Sequence, residues 1–192
     1  MALVASMATY AQDYSVPAAS PKQSVEQQFS YSKISLEYSR PAVKGRKIFG
    51  DLVPYNQVWR AGANATTKIT FAQKVIFGTK EVAAGTYGIY IIPQASEWKV
   101  ILSKDAYSWG AYNFDEKQNV AEVTVKIDKL AAVQEYFTIA LNPTSENSLN
   151  LVFSWDKVQA VVAVQAANQE LVTKVTDKLR EVKQAEREAN KK

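Results

Sequence analysis

Cysteine and histidine are both absent from this chain of 192 residues. Without thiols there are no disulfides and no thiolate nucleophile. Without imidazole there is no zinc site of the His/Cys kind, no histidine-ligated haem and no Ser-His-Asp triad. A general base poised near neutral pH would have to be a perturbed carboxylate, Tyr or Lys, which weighs against an enzyme. The phosphate-loop spacing G-x-x-x-x-G-K-[ST] is missing, and so is any D-x-D-x-D-G calcium run. No apolar run is long enough to cross a bilayer. Charge of one sign is also scarce. Lys174 to Lys192 holds seven Lys or Arg against four Asp or Glu, so +3 of the net +4 sits in the tail and the body carries +1. Nucleic acid is therefore not an expected partner.

Hydrophobic residues make up 47% of the chain, ample for one core. Most of them alternate. Ile34, Leu36 and Tyr38 alternate with Lys33, Ser35 and Glu37, and the same period of two recurs at Ile69 and Phe71, Val75 and Phe77, and Tyr87, Ile89 and Ile91. It continues at Trp98, Val100 and Leu102, then Val123, Val125 and Ile127, then Phe137, Ile139 and Leu141, and lastly Leu149, Leu151, Phe153 and Trp155. Ile69 to Phe77 reads as a hairpin turning at Ala72-Gln73. Asp156-Lys157 reads as a turn into a further strand, Val158 to Val164, that is apolar on both faces. The fold expected is all-β: a single antiparallel β-sandwich or jelly-roll-like domain of about ten strands at residues 30–164.

Residues 1–11, with small residues at Thr9 and Ala11, read as the remnant of a signal peptide, which implies a periplasmic or secreted protein. Residues 12–29 read as an extended arm. Beyond Gln165 the period changes, and Leu171, Val175, Leu179 and Val182 mark one stripe of a C-terminal amphipathic helix within 165–192. That stripe is expected to dock on the sheet or to support weak self-association.

Two stretches escape the alternation. Tyr38 to Thr67 packs three Arg, two Pro, three Gly and a Trp between strands. Its candidate ligand-binding residues are Arg40, Trp59, Arg60 and Asn64, since guanidinium forks suit anionic groups. The competing reading is that these arginines hold backbone carbonyls of a long loop. The second stretch, Tyr107 to Glu116, interleaves rings with Gly, Asn and Asp and contributes Trp109, Tyr112 and Asn113. Flat rings stack on sugar faces while amides take hydroxyls, although such rings also serve to cap a core. The two stretches are expected to meet.

Y-S-R-P-x-x-K-G-R-x-I-F-G-x-L-V-P-Y-x-x-V-W-R-x-G-A-N, from Tyr38 to Asn64, resembles the hallmark of a bacterial family known only as domain of unknown function 2911. A-G-T-Y-G-I-Y-I-I-P at 84–93 and W-G-A-Y-N-F-D at 109–115 extend the likeness over roughly 30–164. The family pattern has Gly where Asn56 stands and Thr where Ala61 stands. The resemblance implies an exported bacterial protein and brings no activity with it. The reading is thus an exported, non-catalytic ligand-binding domain for a glycan or another polar envelope molecule, with no cofactor and no metal. The alternatives are a structural or protein-interaction domain of the envelope, or a hydrolase using carboxylates among Glu37, Asp51, Asp105, Asp115 and Glu116.

Overall fold

Alternation fixes which way each strand faces, and the computed structural model, which describes residues 16–191, places those faces in one core. The signal-peptide reading at 1–11 lies outside the described residues. Nine strands form: β1 (Lys22–Phe29), β2 (Ser32–Ser39), β3 (Thr67–Phe71), β4 (Val75–Phe77), β5 (Lys80–Val82), β6 (Gly85–Pro93), β7 (Glu97–Ser103), β8 (Asn119–Ser145) and β9 (Ser148–Ala166). Among the described residues a single α-helix, α1, spans Gln169–Ala189. The strands make one open antiparallel sheet in the order β1-β2-β3-β6-β7-β8-β9-β4-β5. The domain is thus mostly β, as expected, with β1 and β5 as edges.

β8 gives the sheet its shape. Asn119 to Lys126 pairs with β7, and Ile127 to Ser145 pairs with β9. Its later part also meets the chain just after β2. Val43 N–H donates to Glu135 O at 2.8 Å and Phe137 N–H to Pro41 O at 2.9 Å. The inward residues of β2, β3, β6, β7, β8 and β9 then pack together, with Ile34, Ile69, Ile89, Trp98, Phe137 and Phe153 sealed from solvent.

Four local expectations are corrected. β3 and β4 are not a hairpin: β3 lies between β2 and β6, whereas β4 lies between β9 and β5. A period of two fixes the face of a strand and not its neighbour. Asp156 does not end a strand. Its left-handed backbone (φ 54°) inserts a bulge, and β9 runs on. The bulge changes parity, since Leu151, Phe153 and Trp155 point inward before it and Ala160, Val162 and Val164 after it. Past the bulge, 158–164 is apolar on both faces because Val161 and Ala163 take the outer one. The groups at 123–127 and 137–141 likewise belong to one strand, β8, whose register slips opposite Asp156. Lastly, the sheet does not begin at residue 30, because Lys22–Phe29 of the expected extended arm is a strand whose eight residues all pair with β2.

α1 is where expected, but its stripe is not what docks. Asn168 caps it by accepting the Leu171 N–H at 3.2 Å, and Val172 is the buried residue of the helix. Leu171, Leu179 and Val182 stay exposed. The helix runs beside the β1–β2 and β8–β9 turns as far as Lys183, with an open hollow rather than a packed seam between them, so the stripe stays partly in water. No helix among the described residues is long and apolar enough to cross a membrane.

Candidate functional site

The central loop is irregular because it plugs the core rather than extending the sheet. Ile48, Phe49, Val53 and Trp59 are buried, each worth about 1.5–3 kcal/mol. Trp59 stacks on Trp155 with ring centroids 5.7 Å apart and meets Phe137 edge-on at 5.0 Å. Its backbone also pairs with β6: Trp59 N–H donates to Ile91 O at 2.8 Å and Ile91 N–H to Trp59 O at 2.7 Å. The loop thereby continues the line of β3.

The next three residues are clamped. Trp59 Nε1 donates to Gly62 O at 3.0 Å, Thr67 Oγ1 to Ala61 O at 2.6 Å and Thr67 N–H to Arg60 O at 3.4 Å. Ala61 lies at φ 53°, a left-handed conformation that costs a residue with a Cβ about 1–2 kcal/mol. Such strain persists only where the surroundings over-determine it. Three accepted hydrogen bonds do so here, and they fix the backbone from which Arg60 projects.

The second loop joins the first, as expected. Ala65 and Trp109 form an antiparallel bridge; Thr66 N–H donates to Ser108 O at 3.0 Å and Gly110 N–H to Asn64 O at 3.1 Å. A polar network lies beneath. Thr66 Oγ1 is 3.2 Å from the Tyr90 hydroxyl, which donates to Asp105 Oδ2 at 3.3 Å, and Ser108 Oγ donates to the same oxygen at 2.6 Å. Burial pushes the Tyr90 hydroxyl up from its ordinary pKa. Gly88 allows the approach, since a Cβ there would collide with the Asp105 carbonyl. Neither Thr66 nor Tyr90 stands out in the sequence, since the first is one small polar residue at the end of the irregular loop and the second lies in a regular strand.

The candidate residues separate on inspection. Arg40 is committed to β8: Nε donates to Phe137 O at 3.0 Å, Nη2 donates to Thr138 Oγ1 at 2.8 Å, and the guanidinium lies 5.8 Å from the Tyr136 ring centre. Arg46 donates to Val43 O at 3.1 Å and Ala42 O at 2.5 Å. Both follow the carbonyl-binding reading. Arg60 forms no side-chain hydrogen bond or ion pair among the described residues, and its Nε is buried without a partner. Desolvation holds its pKa below the ordinary range. Trp59 is only 7% exposed and serves as floor rather than projecting ring. Asn64 is exposed, with Nδ2 at 3.5 Å from Ser39 Oγ. Trp109 and Tyr112 are 69% and 89% exposed, and Asn113 is exposed beside them.

Two concavities flank Arg60. A hollow of about 390 Å³ is bounded by Pro54, Gln57, Val58, Trp59, Arg60, Ala111 and Tyr112, and so joins the two loops. A cleft of about 430 Å³ on another side is lined by Lys44, Arg46, Arg60, Trp59 and Trp155, with Ala19, Ser20 and Pro41 at its wall. Among the described residues no carboxylate lines either one. Of the acids considered for hydrolysis, Glu37 is engaged with Lys22 at 2.6 Å, Asp105 with the Ser108 hydroxyl at 2.6 Å and Asp115 with the Lys117 N–H at 3.0 Å. Among the described residues no group of three acids is placed to hold a metal ion.

The family model described as "Protein of unknown function (DUF2911)" matches residues 20–164, well over half of the chain. The chain belongs to this family. No match is found among curated proteins or among solved structures. The range matched by the DUF2911 family starts at the edge strand β1 and stops before α1, so it takes in both loops and all nine strands nearly whole. The Gly of the family pattern where Asn56 stands has a physical reason, because Asn56 is at φ 59°, and Asn is the side chain that tolerates that region best.

Proposed function

We propose that this domain is a non-catalytic ligand-binding module whose binding face is built from the two joined loops, with a glycan or another polar envelope molecule as ligand. One observation carries the reading: Trp109 and Tyr112 project 69% and 89% exposed from a backbone that the bridge and the Asp105 network hold in place. Large rings left in water on a rigid support serve folding little, and side chains spare for folding are commonly kept for contact. Tyr112 overhangs the hollow that Arg60 and Gln57 also line, so a ring, a cation and one amide converge on one concavity.

The remaining parts of the proposal rest on the sequence and the sheet. The bend at β8 favours reading the two halves of the sheet as facing layers of a sandwich, since Tyr38 of β2 reaches Ile139 of β8. Action in the periplasm or outside the cell is supported by the small residues before Gln12. Exposed Leu171, Leu179 and Val182 favour weak self-association through α1.

The test compares wild type with Trp109→Ala on arrays of glycans and of fractionated envelope extract, with thermal melting of both. Retention by the wild type that is lost in the variant at unchanged melting is the expected result. Unfolding of the variant, or no ligand class retained by the wild type, overturns the reading.

A further inference from the structure

Of the three arginines of the central loop, two have carbonyl partners and the third has none among the described residues. Arg60 is half-buried on a clamped backbone, and a charge in that position is costly unless something pairs with it. Its Nε is already buried, so the guanidinium has lost part of its water without gaining an acceptor among the described residues. The cleft beside it repeats the pattern in a second side chain. Trp155 is 1% exposed, and its Nε1 is buried without an acceptor, whereas the neighbouring Trp59 Nε1 donates to Gly62. Native folds rarely leave an indole N–H unmatched, and each such group is a place where an acceptor is wanted.

Among the described residues the cleft offers donors and no anionic acceptors. Lys44 and Arg46 add two cations to its wall, and neither forms an ion pair among the described residues. The nearest carboxylate engaged there is Glu135, which accepts the backbone N–H of Lys44 at 2.9 Å and does not line the cleft. Lys44 itself is held at φ 47° next to Gly45 at φ 69°, a tight turn that keeps the lysine at the rim.

We propose that this cleft is an anion-binding site that takes a small molecule bearing a carboxylate or a phosphate, with Arg60 supplying the central charge and Lys44 a second one. A planar guanidinium meets either group through two parallel hydrogen bonds, and the apolar wall of Pro41, Trp59 and Val53 takes the body of the molecule. The site goes beyond the aromatic face described above and does not depend on it, since Trp109 and Tyr112 do not line this cleft.

The test is a titration of the full chain, labelled with ¹⁵N, by glucuronate, by inorganic phosphate and by neutral glucose. Four indole N–H signals are present, one per Trp, and Trp155→Phe assigns the relevant one. The expected result is a saturable shift of the Trp155 indole and Arg60 Nε signals with glucuronate, with phosphate or with both, and none with glucose. Arg60→Met weakens that response at least about tenfold, and Trp109→Ala leaves it intact. Which anion gives the tighter midpoint tells the carboxylate source from the phosphate source. The wild type adds a readout that no folding defect can confuse, because added salt must weaken the response. No saturable shift with either anion, an equal shift with glucose, or indifference to both salt and Arg60→Met overturns the proposal. Loss of anion binding in Trp109→Ala would merge this site with the aromatic face and overturn its independence.

Discussion

The Tyr38 hydroxyl meets both backbone polar groups of Ile139: it accepts the Ile139 N–H at 3.0 Å and lies 3.2 Å from the Ile139 carbonyl. The hydroxyl has a single proton, and Gln23 Oε1 at 3.0 Å competes for it. β1, β2 and β8 are therefore tied at one atom. In Tyr38→Phe the Ile139 N–H is left buried without its acceptor, which costs about 1–3 kcal/mol. Urea denaturation monitored by Trp fluorescence measures it. A loss under about half a kcal/mol would mean that water replaces the hydroxyl, and that the tie is not structural.

The same burial makes stability sensitive to alkali. Burial raises the pKa of Tyr38, Tyr87 and Tyr90 above the ordinary 10.0. The unfolded chain then gives up these protons first as pH rises. Their contribution is complete below about pH 10 and is lost as pH climbs through the folded values. Unfolding above that pH should coincide with a step in tyrosinate absorbance, and in Tyr38→Phe the step should shrink. A smooth titration of all ten tyrosines with no unfolding would show that these three are reached by solvent.

How far the sequence could be read follows from what each residue pattern encodes. Ile34, Leu36 and Tyr38 declare a strand and its inner face, because a period of two is a statement about faces. Nothing in Val75 and Phe77 says that their neighbour is β9, since pairing is settled by the whole sheet. Asp156-Lys157 carries turn-like residues, but the same left-handed backbone serves a bulge, and only the partner strand decides between them. In the site, the meeting of the two loops was legible from their shared irregularity. The division of labour among Arg40, Arg46 and Arg60 was not, because all three have the same chemistry and differ only in which carbonyls lie within reach. Trp155 was read as core, correctly, yet its unmatched N–H depends on which acceptors surround it.

Gly88 is the point at which the second loop is most easily dislodged. A methyl group at Gly88 meets the Asp105 carbonyl, which belongs to backbone and cannot rotate away. Gly88→Ala should cost about 1–3 kcal/mol as overpacking. It should also loosen the loops selectively, so that exchange of the Thr66 and Gly110 amides, which bond Ser108 and Asn64, accelerates more than exchange in β7. Gly45→Ala is the control. At φ 69° with open space around it, that substitution carries backbone strain alone and should leave both amides protected. Equal acceleration at all three places would mean that the loop does not open as a unit.

The helix α1 separates two ways in which a tail can matter. Its apolar stripe at Leu171, Leu179 and Val182 is exposed and contributes little, while Val172, one position off that stripe, is 2% exposed and packs with the core. Further along, Arg180 reaches both oxygens of Glu146 at 2.7 Å, but the pair lies in solvent. Such a pair is worth about 0–1 kcal/mol. A chain ending at Ala167 should lose about 1.5–3 kcal/mol through Val172. A chain ending at Asp177 keeps Val172 and the Asn168 cap, and should lose under about 1 kcal/mol. Val172→Ala in the full chain should reproduce most of the first loss. Equal losses in the two truncations would place the stabilising contact beyond Asp177, with the Arg180–Glu146 pair as its source, and would show that the buried valine is not what anchors the helix.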